Sequence, residues 1–210
     1  MRKMYEQNEI AVGFLAGGLA RRMGGRAKAM LQVGGRTVLD RQLSATSQHS
    51  IRLLNVNGDA VQYQAVGLPI VPDNIEGYPG PLAGILACLD YLADHHADVL
   101  YLLSCATDAP FIPADLAQRL AAGMDKQKAI LAQARSNGQR HPVFGLWPVS
   151  LRGHLRTALT EDGLRKIDDF TAFYATAIID FHDKPDPFLN VNRPEDLERA
   201  EAMLADKHDG

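Results

Sequence analysis

The chain has 210 residues, which fits one domain, or one with a small appendage, and is long enough to bury a substantial core. Apolar residues make up 46%, and 22 Lys and Arg against 25 Asp and Glu leave a net charge of −3, so no global basic field is available to hold nucleic acid. No apolar run is long enough for a membrane span and MRKMYEQNE opens no secretory h-region, so a cytoplasmic protein with no membrane partner is expected.

Ile10 to Ala16 is a short apolar run bounded by glycines and suits a buried strand. Thr37 to Ser47 reads as a helix with Val38, Leu39 and Leu43 on one face. Ile51 to Val56 and Leu68 to Val71 read as strands, the second ended by Pro72-Asp73. Gly80 to Leu92 begins PGPLAG and continues as an apolar helix. Asp98 to Leu103 holds VLYLL, a continuous apolar run of the kind found in central parallel strands. Pro113 to Ala122 is expected as a helix with Pro113 and Asp115 in its first turn. Ala129 to Ala134 and Val143 to Trp147 read as strands around a polar turn, Ser136 to Arg140. Leu151 to Leu159 and Arg165 to Tyr174 read as helices, Thr176 to Phe181 as a strand, and Pro194 to Ala205 as a closing helix. Residues 1–9 and 206–210 are expected to be flexible ends.

Strands alternate with helices from start to finish. That pattern predicts an α/β fold in three layers, a mostly parallel sheet with helices on both faces, formed by residues 1–210 as a single domain. In such sheets ligands gather beyond the carboxyl ends of the strands. The loop after the first strand is GGLARRMGGRAK, with Arg21, Arg22, Arg26 and Lys28 among glycines. Glycines let backbone N–H groups approach a ligand closely, and Arg and Lys add charge-assisted bonds to phosphate oxygens. Neither a P-loop nor a G-x-G-x-x-G fingerprint is present. A local basic cluster in an acidic chain points to a local anion; the alternative is a solvated turn.

Asp108 lies just past the strongest strand, in SCATDAPF, facing the same crevice. Near phosphates a lone carboxylate is a natural Mg²⁺ ligand; otherwise it is a turn or cap residue. Asp73 is a second crevice carboxylate or a turn residue. Asn55 and Asn57 close the second strand, where an amide reads a base or ribose edge or makes a turn. Asn190 and Asn192, two apart in NVN, present two amides on one side of extended chain, or cap locally before Pro194. His95 and His96 end a helix, and His141 before Pro142 reads as structural. No Ser/His/Asp order or His pair supports nucleophilic or metal-cluster chemistry. Cys88 and Cys105 are neither a disulfide scaffold nor zinc ligands, and read as small core residues.

LAGGLARRMGG followed by Lys28 resembles the signature of pyrophosphorylase-type nucleotidyltransferases. YPGPLAG at 78 to 84, DAPF at 108 to 111, HPVFGLW at 141 to 147 and NVNRPEDL at 190 to 197 follow in the same order. Together, over roughly residues 10 to 205, they resemble the molybdenum cofactor guanylyltransferase family. The resemblance implies a Rossmann-like nucleotidyltransferase fold and a Mg²⁺-dependent transfer of GMP from GTP to molybdopterin. It implies that Leu15, Ala16, Gly17 and Gly18 cradle the nucleotide through backbone, and that Arg22 and Lys28 take up phosphate charge. It places Asn55 and Asp73 on guanosine, Asp108 on nucleotide and metal, and Asn190 and Asn192 on the molybdopterin side. Other molybdenum cofactor biosynthesis proteins and recipient molybdoenzymes are the implied partners.

Gly17 bears on base choice, since similar cytidylyltransferases read LAAG where a side chain would crowd a purine. Two positions depart from the family pattern: Ala27 replaces the usual acid before the loop lysine, and Thr107 the usual cysteine before Asp108. The alternatives are a cytidylyl or sugar-1-phosphate nucleotidyltransferase on the same scaffold, and a non-catalytic molybdopterin or nucleotide carrier. A nucleic-acid-binding loop is disfavoured by the acidic total and the lack of interleaved aromatics.

Overall fold

The computed structural model describes residues 6–17, 19–20, 26–75, 77 and 80–205. Seven strands form one sheet: β1 (Ile10–Leu15), β2 (Arg52–Asn55), β3 (Ile70–Val71), β4 (Tyr101–Ala106), β5 (Leu131–Ser136), β6 (Gln139–Pro148) and β7 (Thr176–Phe181). Their spatial order is β7-β5-β6-β4-β1-β2-β3. β1 lies parallel between β2 and β4, β3 adds parallel to β2, and β7 pairs parallel with β5. β6 runs antiparallel to both β4 and β5.

The helices are α1 (Val38–Ala45), α2 (Pro81–His95), α3 (Leu116–Gln127), α4 (Arg152–Thr160), α5 (Ile167–Thr171) and α6 (Pro194–Ala205). Alternation along the strands divides the core in two. Val12, Phe14, Leu54 and Cys105 pack with Leu39 of α1 and Leu116 and Leu120 of α3. Ala11, Leu53, Leu102 and Trp147 pack with α2, α4 and α5 through Leu86, Leu89, Leu155 and Phe170. The expected α/β architecture, with a mostly parallel sheet between two helical layers, is present. A smaller cluster of Leu31, Val33, Val38, Val191 and Ala200 holds α6 and the segment before it.

The strict strand–helix alternation breaks between residues 131 and 148, because β5 and β6 are a hairpin. Asn137 and Gly138 join them, both at positive φ (48° and 77°). Two left-handed residues make the turn whose twist matches paired strands, and Asn-Gly is its preferred sequence. β4 begins three residues later than expected and takes in Ser104 and Cys105. That leaves Asp108 two residues past its end. α3 begins at Leu116 rather than Pro113, with Asp115 as its N-cap, and extends to Gln127, where Lys128 turns left-handed. The helix expected over residues 165–174 forms only across Ile167–Thr171.

At the start of the described chain, Gln7–Glu9 forms a 3-10 turn whose Glu9 carbonyl accepts from Leu100 N at 2.9 Å. The last residues of the expected flexible segment 1–9 are thus tied to the lead into β4, while residues 1–5 and 206–210 lie outside the described chain. α6 starts where Asp196 reaches back to accept from Arg193 N at 2.9 Å and Asn192 N at 3.0 Å. This is the reciprocal half of a capping box, and it orients the NVN segment.

Candidate active site

The crevice forms beyond the ends of β1 and β4, neighbours whose onward connections leave in opposite directions, from β1 to β2 and from β4 to β5. Four strand ends meet there, those of β1, β2, β3 and β4. Ala16 N donates to the Asn55 carbonyl at 2.8 Å, and the Thr107 hydroxyl donates to the Leu15 carbonyl at 3.2 Å. These bonds splice the β1 exit between its neighbours and fix the backbone of Leu15 and Ala16.

Asp108 sits at the centre. One carboxylate oxygen lies 3.5 Å from the Lys28 ammonium. The other faces Asn190: with its amide nitrogen turned inward, Asn190 donates to Asp108 Oδ1 and to the Phe188 carbonyl, each at 3.3 Å. Lys28 also donates to Asn192 Oδ1. The Asp108 carbonyl accepts from Val191 N at 2.7 Å, which docks the NVN segment onto the β4 exit. Residues expected on the nucleotide side and on the pterin side therefore converge on one carboxylate. Burial pushes the Asp108 carboxyl above its ordinary value; the Lys28 charge and its hydrogen bond pull the other way.

The expected nucleoside residues form a second, adjoining group. Asn55 is 3% exposed, and its amide nitrogen donates to the Val71 carbonyl at 2.9 Å and to Asp73 Oδ1 at 2.8 Å. Asn57 donates to Asp73 Oδ2 at 2.7 Å and accepts from Asp73 N at 2.8 Å. Asn55 is thus engaged in holding Asp73, while Asp73 is half-buried at the crevice. Gly84, in α2, makes room for this arrangement: a Cβ there would run into Asn55 Oδ1 and lie 2.9 Å from its Cγ. The glycine of PGPLAG has a steric reason. At Gly17 the opposite holds. It is exposed, a Cβ placed on it would meet no described protein atom within 4 Å, and its φ is outside the left-handed region. Protein contacts among the described residues give no reason for glycine at that position.

Gly18 and Arg22, both expected at the site, lie outside the described residues, as does Arg21. Among those described there is no group of three or more His, Cys, Asp or Glu side chains arranged to hold a metal. A cation at Asp108 would be of the kind held by one carboxylate with substrate oxygens, the usual manner of Mg²⁺. Cys88 and Cys105 are buried free thiols, the first pushed up to about 12 by burial. His141 lies on β6, where its Nε2 stands 2.8 Å from Ser136 Oγ. Ser136 donates to Asp186 Oδ1 at 2.7 Å, so Nε2 carries the proton toward the serine. This chain of bonds braces the segment leading to Asn190.

Sequence reasoning missed Gln42. It is fully buried in α1, and its amide donates to the carbonyls of Ala106 and Ala109, both at 2.8 Å. Those carbonyls bracket Thr107-Asp108. A glutamine among helix-face apolar residues was the available signal, but nothing local says which loop it holds. Asp90 was also missed: buried in α2, it accepts from Asn74 at 2.6 Å and Arg156 at 2.5 Å, anchoring the loop that carries Asp73.

The MobA-like NTP transferase domain family matches residues 12–175. A molybdenum cofactor guanylyltransferase of Nitrobacter hamburgensis is 49% identical over 193 residues, 91% of this chain and 92% of its own. Among solved structures, the molybdopterin-guanine dinucleotide biosynthesis protein A of Archaeoglobus fulgidus superposes with a TM-score of 0.74 at 21% identity, covering 93% of this chain and 99% of that one. A Mycobacterium tuberculosis protein solved in complex with manganese gives a TM-score of 0.66 at 18% identity, covering 93% and 99%. The structural likenesses carry the fold; the family match and the identity sustained along the chain carry more. This chain belongs to the MobA-like NTP transferase family, among the molybdenum cofactor guanylyltransferases.

Proposed function

We propose that the chain transfers GMP from GTP to the terminal phosphate of molybdopterin, yielding molybdopterin guanine dinucleotide and pyrophosphate. The observation that supports this most is the meeting of Lys28 and Asn190 on Asp108, with Asn192 joined to the group through Lys28. The acceptor is a phosphomonoester with a second pKa of about 6, so its oxygen is largely ionised at neutral pH. It attacks the α-phosphorus, and the bond to the bridging oxygen of pyrophosphate breaks. No general base is needed, because the attacking oxygen is already ionised. What the reaction needs is positioning of two anions and neutralisation of their charge.

In this reading the backbone of Leu15, Ala16, Gly17 and Gly18 cradles the nucleotide. Glycine at Gly17 leaves room for a purine. Asp73, held by Asn55, offers guanine a carboxylate for its N1–H and amino group. Lys28 and Arg22 take up charge on the departing pyrophosphate. Asp108 fits a Mg²⁺ site, and that ion when bound supplies charge neutralisation and orientation to the phosphates. Asn190 and Asn192 meet the molybdopterin side. Work in the cytoplasm, with molybdopterin received from other cofactor-biosynthesis proteins and product passed to molybdoenzymes, completes the reading. No described helix is long and apolar enough to cross a membrane.

The test is pyrophosphate release by purified protein with Mg²⁺ and molybdopterin, with GTP, CTP or ATP in separate reactions. Pterin-dependent release with GTP alone is expected. Preference for CTP moves the chain to cytidylyl transfer, and GTP binding without release from any nucleotide supports a carrier. Lys28→Ala and Asp108→Ala should each cut turnover at least about tenfold, roughly 1.4 kcal/mol. Parent rates in either folded variant would remove that residue from the chemistry.

A further inference from the structure

We infer that Asn57 is a specificity-determining positioning residue, which fixes the plane of the Asp73 carboxylate for a guanine base. The inference rests on the reading of Asp73 as the base-contacting carboxylate. Asp73 is gripped from both sides: Asn55 donates to Oδ1 at 2.8 Å and Asn57 donates to Oδ2 at 2.7 Å. Asn57 also accepts the Asp73 backbone N–H at 2.8 Å, so its amide orientation is unambiguous, oxygen to N–H and nitrogen to carboxylate. Two donors, one per oxygen, stop rotation of the carboxylate about its terminal torsion, which is otherwise broad and roughly two-fold.

The two donors differ in support. Asn55 is buried and further held by the Val71 carbonyl. Asn57 is exposed, in the turn after β2. A solvent-exposed asparagine whose amide matches one aspartate at both its oxygen and its nitrogen serves no core. Each carboxylate oxygen keeps lone pairs beyond the one it gives to an amide, and guanine presents two adjacent donors, N1–H and the exocyclic amine. A carboxylate held in one plane accepts both; a rotating one forms the pair less often. Inosine lacks the amine, so the contrast between GTP and ITP reads the geometry directly.

The experiment measures kcat/KM for GTP and ITP in wild type, Asn57→Ala, Asn57→Asp and Asp73→Asn, with thermal melts for folding. Asn57→Asp keeps size and the acceptor for Asp73 N–H, but sets a carboxylate oxygen against Asp73, where two like charges disfavour each other. Asn57→Ala is expected to lower the GTP-over-ITP preference at least about threefold, through KM with kcat within about twofold, and Asn57→Asp to lower it further at neutral pH. Equal losses for both nucleotides, or no loss, in folded Asn57 variants alongside a fallen preference in Asp73→Asn would overturn the role of Asn57 and leave the base reading standing. An unchanged preference in Asp73→Asn would sink the base reading itself, and the inference with it.

Discussion

Lys28 and Asn192 are 164 residues apart, yet the lysine ammonium donates a hydrogen bond to the asparagine Oδ1. Lys28 belongs to the glycine-rich loop after β1, and Asn192 to the segment that precedes α6. The bond joins the two sides of the crevice through side chains, beside the Asp108 contact that Lys28 also makes at 3.5 Å.

Asn192 should therefore influence the nucleotide as well as the pterin. A hydrogen bond to a charged partner contributes about 1.5–3 kcal/mol. Lys28 is partly exposed, so water replaces much of it. Asn192→Ala is expected to lower kcat/KM for GTP about three- to tenfold, roughly 0.7–1.4 kcal/mol. Steady-state kinetics with each substrate varied in turn checks this. Unchanged GTP parameters in Asn192→Ala would confine the residue to the pterin side.

Asp108 carries a stability consequence of opposite sign to its chemical one. Burial raises its carboxyl above the ordinary 3.8, with Lys28 opposing. Between the ordinary value and the raised one, the folded protein binds more protons than the unfolded chain. Stability associated with Asp108 is then fully present below the ordinary value and is lost as pH rises through the folded one. Asp108→Asn, neutral at every pH, should be less sensitive to pH across that window than wild type, and should gain relative stability as pH rises, while turnover falls. Chemical denaturation from about pH 3 to 7 spans the window and gives the comparison. A variant whose deficit grows with pH would show that the Lys28 pairing outweighs burial.

Gly84 should resist substitution more than its helical position suggests. Ala is intrinsically favoured over Gly in a helix interior by about 1 kcal/mol. Here a Cβ would overlap Asn55 Oδ1 and sit 2.9 Å from its Cγ. Asn55 is tied to Val71 and Asp73, so it has little room to yield. Gly84→Ala is expected to raise KM for GTP several-fold and to destabilise the fold by about 1–3 kcal/mol, the usual range for overpacking. Nucleotide titration and urea denaturation measure the two separately. Improved stability with unchanged GTP binding would mean that α2 shifts freely and the crevice tolerates it.

Much of the fold was legible because its signals are local. Apolar runs marked β1, β4 and β7, and Thr176 to Phe181 and Pro194 to Ala205 matched residue for residue. The antiparallel β6 was also written locally, in Asn137-Gly138, but the regular alternation of strands and helices overshadowed it. The start of α3 moved because Pro113 fits the turn ahead of a helix as well as its first position.

The amino-acid sequence by itself determined the kind of chemistry: a basic glycine-rich loop behind a buried strand, a carboxylate past a central strand, and paired amides before the last helix. Tertiary structure decided which of these act together. Gln42 stands among the apolar residues of its helix face, but its partners are undefined until α1 lies over the β4 exit, where its buried amide satisfies the carbonyls of Ala106 and Ala109. Asn55 supports Asp73 only because β2 and β3 are neighbours in the sheet. Hydrogen bonds of a few ångströms link residues far apart in the chain, and local propensity carries no record of those partners; the strand order and the helices laid over it bring them within reach.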